Sequence, residues 1–358
     1  MNSLFNNFYK DKNVLITGHT GFIGSWMSIW LLELGANVIG YSLPPYTEKD
    51  NFVVTKLDEK LESIINDIRN FEKLNNVVKE YKPDLIFHLA AQPILRKSYL
   101  IPKETYDINV GGTVNVFEAF RNDKDCRVLI NVTTDKVYEN REWVWGYREN
   151  DSLGGYDPYS SSKACSDLIT SAYRQSYFNP DVSKTNKIVS SARSGNVIGG
   201  GDWQEDRLVP DCMRAILKTE EICVRNPGSI RPWQYVLEPI RGYLILAMKM
   251  WDGDQKYSGA WNFGPDDCLI YCVNDIIEKI LNYIGKGKYK YLNQHKCDNL
   301  HETITLTLDN SKSHRYLGWK PRISIDDTIK LLCDWYMEKA INYDFDVKQI
   351  DTYIKLIK

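Results

Sequence analysis

The chain has 358 residues, 43% hydrophobic and 26% charged, with 45 Lys and Arg against 47 Asp and Glu for a net charge of −2. That apolar content supports a sizeable core and excludes a disordered chain, and the near-neutral balance speaks against a nucleic-acid binder, which carries a basic excess. The 22 glycines and 13 prolines exclude collagen-like and low-complexity classes.

Residues 13–17 (NVLIT) form a short apolar run that closes on glycines, the pattern of a buried parallel strand. Residues 22–34 follow with helical apolar spacing and stop at Gly35. Further strands are predicted at 37–41, 62–66, 84–89, 127–132 and 187–192, with helices at 71–81, 104–120 and 159–177. Strands alternating with helices imply β-α-β units, an α/β doubly wound parallel sheet, and ligands beyond the carboxyl ends of the strands. After about residue 197 the rhythm loosens through Gly199-Gly200-Gly201 and several prolines, and a helix is predicted at 236–250. The expected division is a cofactor-binding domain of residues 1–197 plus about 235–262. A smaller α/β substrate lobe takes about 198–234 plus 263–340, and 341–358 is an unassigned amphipathic tail.

Cysteines stand at 126, 165, 212, 223, 268, 272, 297 and 333, without a Cys-x-x-Cys. The tightest pair, Cys268 and Cys272, has no His or Cys at zinc-finger spacing, and His295, His301 and His314 show no ligand spacing. No metal is expected, and scattered cysteines read as a reduced, intracellular chain. With no signal-peptide segment and no apolar run long enough for a bilayer, the expectation is a soluble cytoplasmic protein without membrane contact.

Gly18-His19-Thr20-Gly21-Phe22-Ile23-Gly24 joins the first strand to the first helix in a G-x-x-G-x-x-G pattern. Glycines let the backbone approach a pyrophosphate, and the helix N-terminus offers free N–H groups. The second strand ends at Tyr41-Ser42 with no acidic residue, and the first cation beyond it is Lys49, which favours NAD, with Ser42 bonding a ribose hydroxyl. Asp67 reads equally as an acceptor for the adenine amino group and as a turn aspartate. Tyr159 and Lys163 lie four apart on one helix face, where a nearby ammonium and a cationic nicotinamide ring both favour the phenolate needed for a redox base.

The Gly18/Gly21/Gly24 loop with Tyr159-x-x-x-Lys163 resembles the extended short-chain dehydrogenase/reductase family, from Val14 to about Trp335. His88-Leu89-Ala90-Ala91-Gln92, Asn109 and Asn262-Phe263-Gly264 also match. Longer strings at 18–22, 138–150, 154–160, 194–203 and 225–239 are similar to the CDP-glucose 4,6-dehydratase branch of its nucleotide-sugar enzymes. The resemblance implies a Rossmann fold, NAD as cofactor, CDP-glucose as substrate and an internal redox dehydration. It implies catalysis by Thr134, Asp135, Lys136, Tyr159 and Lys163: Thr134 polarises the sugar 4-oxygen, Asp135 protonates the departing 6-hydroxyl, and Lys136 takes the C5 proton where the dTDP-glucose and GDP-mannose enzymes carry glutamate. Cofactor contacts are implied for Gly18, Thr20, Gly21, Phe22, Ile23, Gly24, Ser42, Asp67, Ile68, Leu89, Ala90, Ala91, Tyr159 and Lys163. Substrate contacts are implied for Gln92, Arg141, Trp145, Asn196, Arg207, Arg231 and Trp233. Asn109 is implied to be structural, and His88 reads as a satisfied core histidine. Ile23 and Val137 depart from the branch, which has lysine and a commoner cysteine there, without removing a catalytic group. The resemblance further implies a homodimer, with a tetramer as the alternative, and a product feeding deoxysugars of lipopolysaccharide O-antigen. The rivals are another dehydratase or epimerase of the same fold and a cofactor-holding protein without turnover.

Overall fold

The computed structural model describes residues 2–182, 185–266, 271–292 and 303–358. Cys268, Cys297, His295 and His301 lie outside the described residues. Seven strands build one sheet: β1 (Asn13–Thr17), β2 (Asn37–Ser42), β3 (Glu62–Ile65), β4 (Leu85–His88), β5 (Val128–Val132), β6 (Ile188–Ser194) and β7 (Gly259–Phe263). All pairs are parallel, in the spatial order β7-β6-β5-β4-β1-β2-β3. The order reverses between β1 and β4, which opens a crevice at that point. Thr17 stands opposite both Tyr41 and His88, His88 opposite Asn131, and Val132 opposite Ala192. The carboxyl ends of the central strands therefore finish along one edge.

The period of two along each strand feeds two cores. Val14 and Ile16, Leu85 and Phe87, and Val128 and Ile130 enter one, while Leu15, Ile86 and Leu129 enter the other. The main helices are α1 (Phe22–Glu33), α2 (Phe71–Tyr81), α3 (Gly112–Asn122), α4 (Pro158–Tyr177), α5 (Leu208–Lys218), α6 (Leu237–Met250), α7 (Val273–Ile284), α8 (Ile325–Met337) and α9 (Tyr343–Leu356). Trp26 and Trp30 of α1, Tyr243 and Leu244 of α6 and Tyr353 of α9 join the first core. Val77 of α2 and Phe117 and Phe120 of α3 join the second. Gly24 to Leu31 of α1 are all buried, so this helix carries no single apolar stripe. The reason is α9, which covers its outer side: the Trp30 and Tyr353 rings meet edge-on at 5.8 Å, and Tyr343 donates to Glu33 at 2.8 Å. The C-terminal stretch left unassigned from sequence is thus a helix docked on α1, capped by Asn342.

The predicted helix at 104–120 is interrupted. A short helix (Pro102–Tyr106) passes through a π turn (Asp107–Gly111) into α3. Beyond β6, short ladders pair Val197–Ile198 with Gln234–Tyr235, Ile230–Arg231 with Tyr271–Cys272, and Glu221–Val224 with Lys288–Tyr291. Together with α5 and α7 they cover the carboxyl ends of the sheet and leave a cleft of about 1500 Å³. Among the described residues no helix is long and apolar enough to cross a membrane, and no group of three or more metal-ligating side chains occurs.

Candidate active site

The glycine loop forms one wall of the cleft. Gly18 has φ +82°, a left-handed conformation that glycine adopts without strain, and a Cβ there would stand 2.8 Å from the Ala90 nitrogen. A Cβ on Gly24 would stand 2.1 Å from the Gly18 carbonyl oxygen. The loop therefore folds against itself and against the segment after β4 with no room for a side chain at positions 18 and 24. Gly21 caps α1 without a side-chain hydrogen bond, so no side chain of its own covers the first N–H groups of the helix. A bare helix N-terminus behind a tight glycine loop fits the pyrophosphate of a dinucleotide. Phe22, Ile23, Ile68, Leu89, Ala90 and Ala91 line the same cleft.

At the end of β2, Thr20 donates its hydroxyl proton to the Leu43 carbonyl at 2.9 Å and lies 2.9 Å from the Ser42 hydroxyl. A hydroxyl has one proton, so Ser42 must donate to Thr20 and present lone pairs outward. That suits a ribose hydroxyl, which donates, and repels a phosphate. Asp67 lines the cleft, but its carboxylate accepts the Arg69 N–H at 2.8 Å and the Arg69 guanidinium at 2.6 Å. The Arg69 hydrogen bonds hold Asp67 below the usual carboxylate range. Of its two sequence readings, the turn aspartate describes its bonds.

Gln92 also faces the cleft, but its side-chain amide is spent locally on Ile94 and Thr105. Its backbone N–H donates to Asn109 at 2.8 Å, and Asn109 in turn donates to Ser162 at 2.9 Å. Asn109 thus ties the segment after β4 to α4. His88 is bonded through both ring nitrogens, to Thr17 and Thr113, and burial holds its pKa down at about 3.

The second wall is the end of β5 and the start of α4. Asp157 caps α4 by accepting from Ser160, and Pro158 opens the first turn, which sets Tyr159 at the cleft. Burial pushes the Tyr159 phenol up to about 12, against the opposing pull of its hydrogen bond with Thr134 and of the Arg207 guanidinium. Lys163, one turn on, donates to the Val132 carbonyl at 2.9 Å, and burial lowers it to about 8. Arg207 is a cation whose charge opposes this rise at Tyr159. Thr134 donates to Asp135 Oδ1 at 2.9 Å. Lys136 Nζ lies 3.8 Å from Asp135 Oδ1 and faces the cleft. Asp135 itself is 0% exposed and sits just behind the lining, with Oδ2 unpartnered.

The end of the cleft lined by residues 202–233 carries arginines among the carboxylates of Asp202, Glu205, Asp206 and Asp211. Arg207 pairs with Asp202 at 2.8 Å, and Arg231 donates to the Ile230 carbonyl at 2.8 Å. Asn196 has φ +32° and a buried Oδ1 without a partner, and Trp233 lines this end while bonding the Tyr271 carbonyl. Sequence reasoning missed Arg96 and Arg225, which both pair with Asp206, at 3.5 and 3.0 Å, and line the cleft with Arg207 and Arg231. Arg225 opens the quoted string 225–239, which was its one available signal. Arg141 and Trp145 are not among the residues that line the cleft. Arg141 pairs with Glu139, and Trp145 is 68% exposed. Their segment is tied to residues 304–308: Glu142 accepts from the Ile304 and Thr305 N–H groups, and Tyr147 bridges to Leu308.

Residues 15–332 match the GDP-mannose 4,6-dehydratase family. The chain belongs to that family. Among curated proteins, this GDP-mannose 4,6-dehydratase family member is 46% identical, over 331 residues, to CDP-glucose 4,6-dehydratase of Salmonella typhimurium, covering 92% of each chain. Solved structures with the same fold include a dTDP-glucose 4,6-dehydratase from Streptomyces venezuelae with NAD and TYD bound, at TM-score 0.78, 23% identity, and 91% and 97% coverage. The Bacillus anthracis dTDP-glucose 4,6-dehydratase in complex with NAD gives 0.75, 24%, and 92% and 97%. Behind the site of the family member described here, Asp167 of α4 accepts from Arg193 at 2.8 Å through both oxygens, and from Thr133 and Ser191 at 3.0 Å. This buried cluster joins α4 to β5 and β6, one residue from Thr134.

Proposed function

We propose that this chain is an NAD-dependent CDP-glucose 4,6-dehydratase, a hydro-lyase converting CDP-D-glucose to CDP-4-dehydro-6-deoxy-D-glucose. The supporting observation is the meeting of Tyr159, Thr134, Asp135 and Lys136 beside a glycine loop, in a chain 46% identical to the Salmonella enzyme. Gly18–Gly24 and Ser42 would hold the dinucleotide, which would supply reversible hydride acceptance for the sugar. Tyr159 takes the proton of the 4-hydroxyl, and Thr134 hydrogen-bonds the 4-oxygen as the ketone forms. The ketone acidifies the C5 proton, which Lys136 takes. Asp135 gives its proton to the 6-hydroxyl, which leaves as water. Lys136 returns a proton to C5, and release of the Tyr159 proton balances reprotonation of Asp135, so the net change is loss of one water. Lys163 holds the cofactor ribose, and Asn196 and the arginines around Arg207 and Arg231 bind the diphosphate. The lone pairs of Ser42 favour NAD over its 2′-phosphorylated form.

The remaining sequence expectations belong to the same proposal. They are a cytoplasmic homodimer, with a tetramer as the alternative, the division into a cofactor domain and a substrate lobe, and a product feeding O-antigen deoxysugars. Exposed Leu168 and Tyr177 on α4 support pairing through this helix. The test is the purified protein with a panel of nucleotide sugars, read by mass. Loss of one water from CDP-glucose alone, without net NADH, is expected. Turnover of a different nucleotide sugar would overturn the substrate, and NAD binding without any turnover would overturn catalysis. Lys136→Ala should keep NAD and lose dehydration; normal turnover would remove lysine from the base role.

A further inference from the structure

Gly195 follows β6, and its missing side chain is filled by the Asp135 carboxyl. A Cβ at 195 would stand 1.9 Å from Asp135 Oδ2, 2.4 Å from its Cγ and 2.8 Å from Pro232 Cγ. The backbone there cannot easily retreat. The Gly195 carbonyl accepts from Gln234 Nε2 at 3.2 Å, and the same nitrogen donates to the Phe263 carbonyl at 2.9 Å. Asp135 has no slack either, because it is fully buried and Oδ1 is held by Thr134 at 2.9 Å. Oδ2, the oxygen against Gly195, has no hydrogen-bond partner among the described residues.

We infer that Gly195 is a positioning residue for Asp135: its bare backbone provides the space in which the carboxyl is held beside Thr134 with one oxygen unpaired. Oδ2 is thus the one Asp135 oxygen that no hydrogen bond among the described residues claims. The inference rests on Asp135 serving as the acid of the proposed reaction. A methyl group at 195 pushes the carboxyl out of line, and the step that suffers is departure of the 6-hydroxyl.

The test is Gly195→Ala, assayed with CDP-glucose and with its 6-deoxy-6-fluoro analogue, whose fluoride leaves with little need of an acid. The expected result is unchanged NAD binding, a kcat on CDP-glucose lower by about tenfold or more, and a much smaller loss on the fluoro sugar. Equal losses on both sugars, or none on either, would overturn the inference. A stability cycle reads the packing independently of activity. Gly195→Ala should lower Tm in the parent and much less in an Asp135→Ala background. Equal lowering in both, or failure of both to fold, would count against it. If the parent leaves CDP-glucose unchanged, the functional reading fails while the stability cycle still judges the space at Gly195.

Discussion

Tyr159 and Lys163 are one turn apart on α4, and burial drives both toward their neutral forms, the phenol up to about 12 and the ammonium down to about 8. For Lys163 this is a cost to folding. Below about pH 8 the lysine is charged in both the folded and the unfolded chain, so the full penalty is present. As pH rises from about 8 toward 10.5 the folded chain releases the proton first, and the penalty fades. Lys163→Met should therefore stabilise the NAD-free protein at pH 7, by on the order of 1–3 kcal/mol after loss of the Val132 hydrogen bond. The gain should shrink across that alkaline window, while turnover is lost at every pH. Urea denaturation at several pH values measures it, and a gain independent of pH would refute the sign. Stability surrendered at a buried cation is consistent with a residue kept for chemistry rather than packing.

At the scale of elements, the loop from β1 into α1 depends on two close approaches, Gly18 to Ala90 and Gly24 to Gly18. Gly24→Ala adds a methyl group 2.1 Å from the Gly18 carbonyl, so the loop must open. The expected outcome is NAD affinity reduced by at least about tenfold, roughly 1.4 kcal/mol, with the sheet intact by circular dichroism. Titration calorimetry reads the affinity; unchanged binding would mean that the loop is not the pyrophosphate cradle. The π turn at Asp107–Gly111 was not legible in the sequence. One extra residue per turn rotates all later side chains, and the apolar spacing on either side still averages to a helix. The insertion has a local use, since Asn109 at its centre bonds both Gln92 and Ser162.

Across the whole molecule, α4 is fastened to the sheet by the Asp167–Arg193 pair, whose side chains are 4% and 3% exposed. Arg193 also donates to Tyr138, which donates to Asn262 at 2.7 Å. The pair thus joins α4, β6 and β7 with the loop after β5, directly behind Thr134. Removing one partner of a buried pair strands the other charge. Asp167→Ala should destabilise the protein by about 3–5 kcal/mol, read as a lowered denaturation midpoint. A cost under about 1 kcal/mol would place the pair in a solvated setting. Neither residue drew notice in the sequence. They are 26 positions apart, and a lone Asp in a helix and a lone Arg in a strand each read as a surface charge.

By itself the sequence determined the alternation of strands and helices, the glycine loop at the β1–α1 junction and the Tyr159–Lys163 spacing. These are local: the 2.0 and 3.6 periods, glycine's freedom and the four-residue repeat are written in neighbouring positions. The tertiary structure alone decided what depends on distant chain meeting. It brought the Arg207 charge to bear on Tyr159, set Arg96 and Arg225 beside Asp206 in the cleft, and paired Arg141 with Glu139. It also set Asp135 beneath Gly195, sixty positions away, because the ends of adjacent parallel strands meet only once the sheet is built.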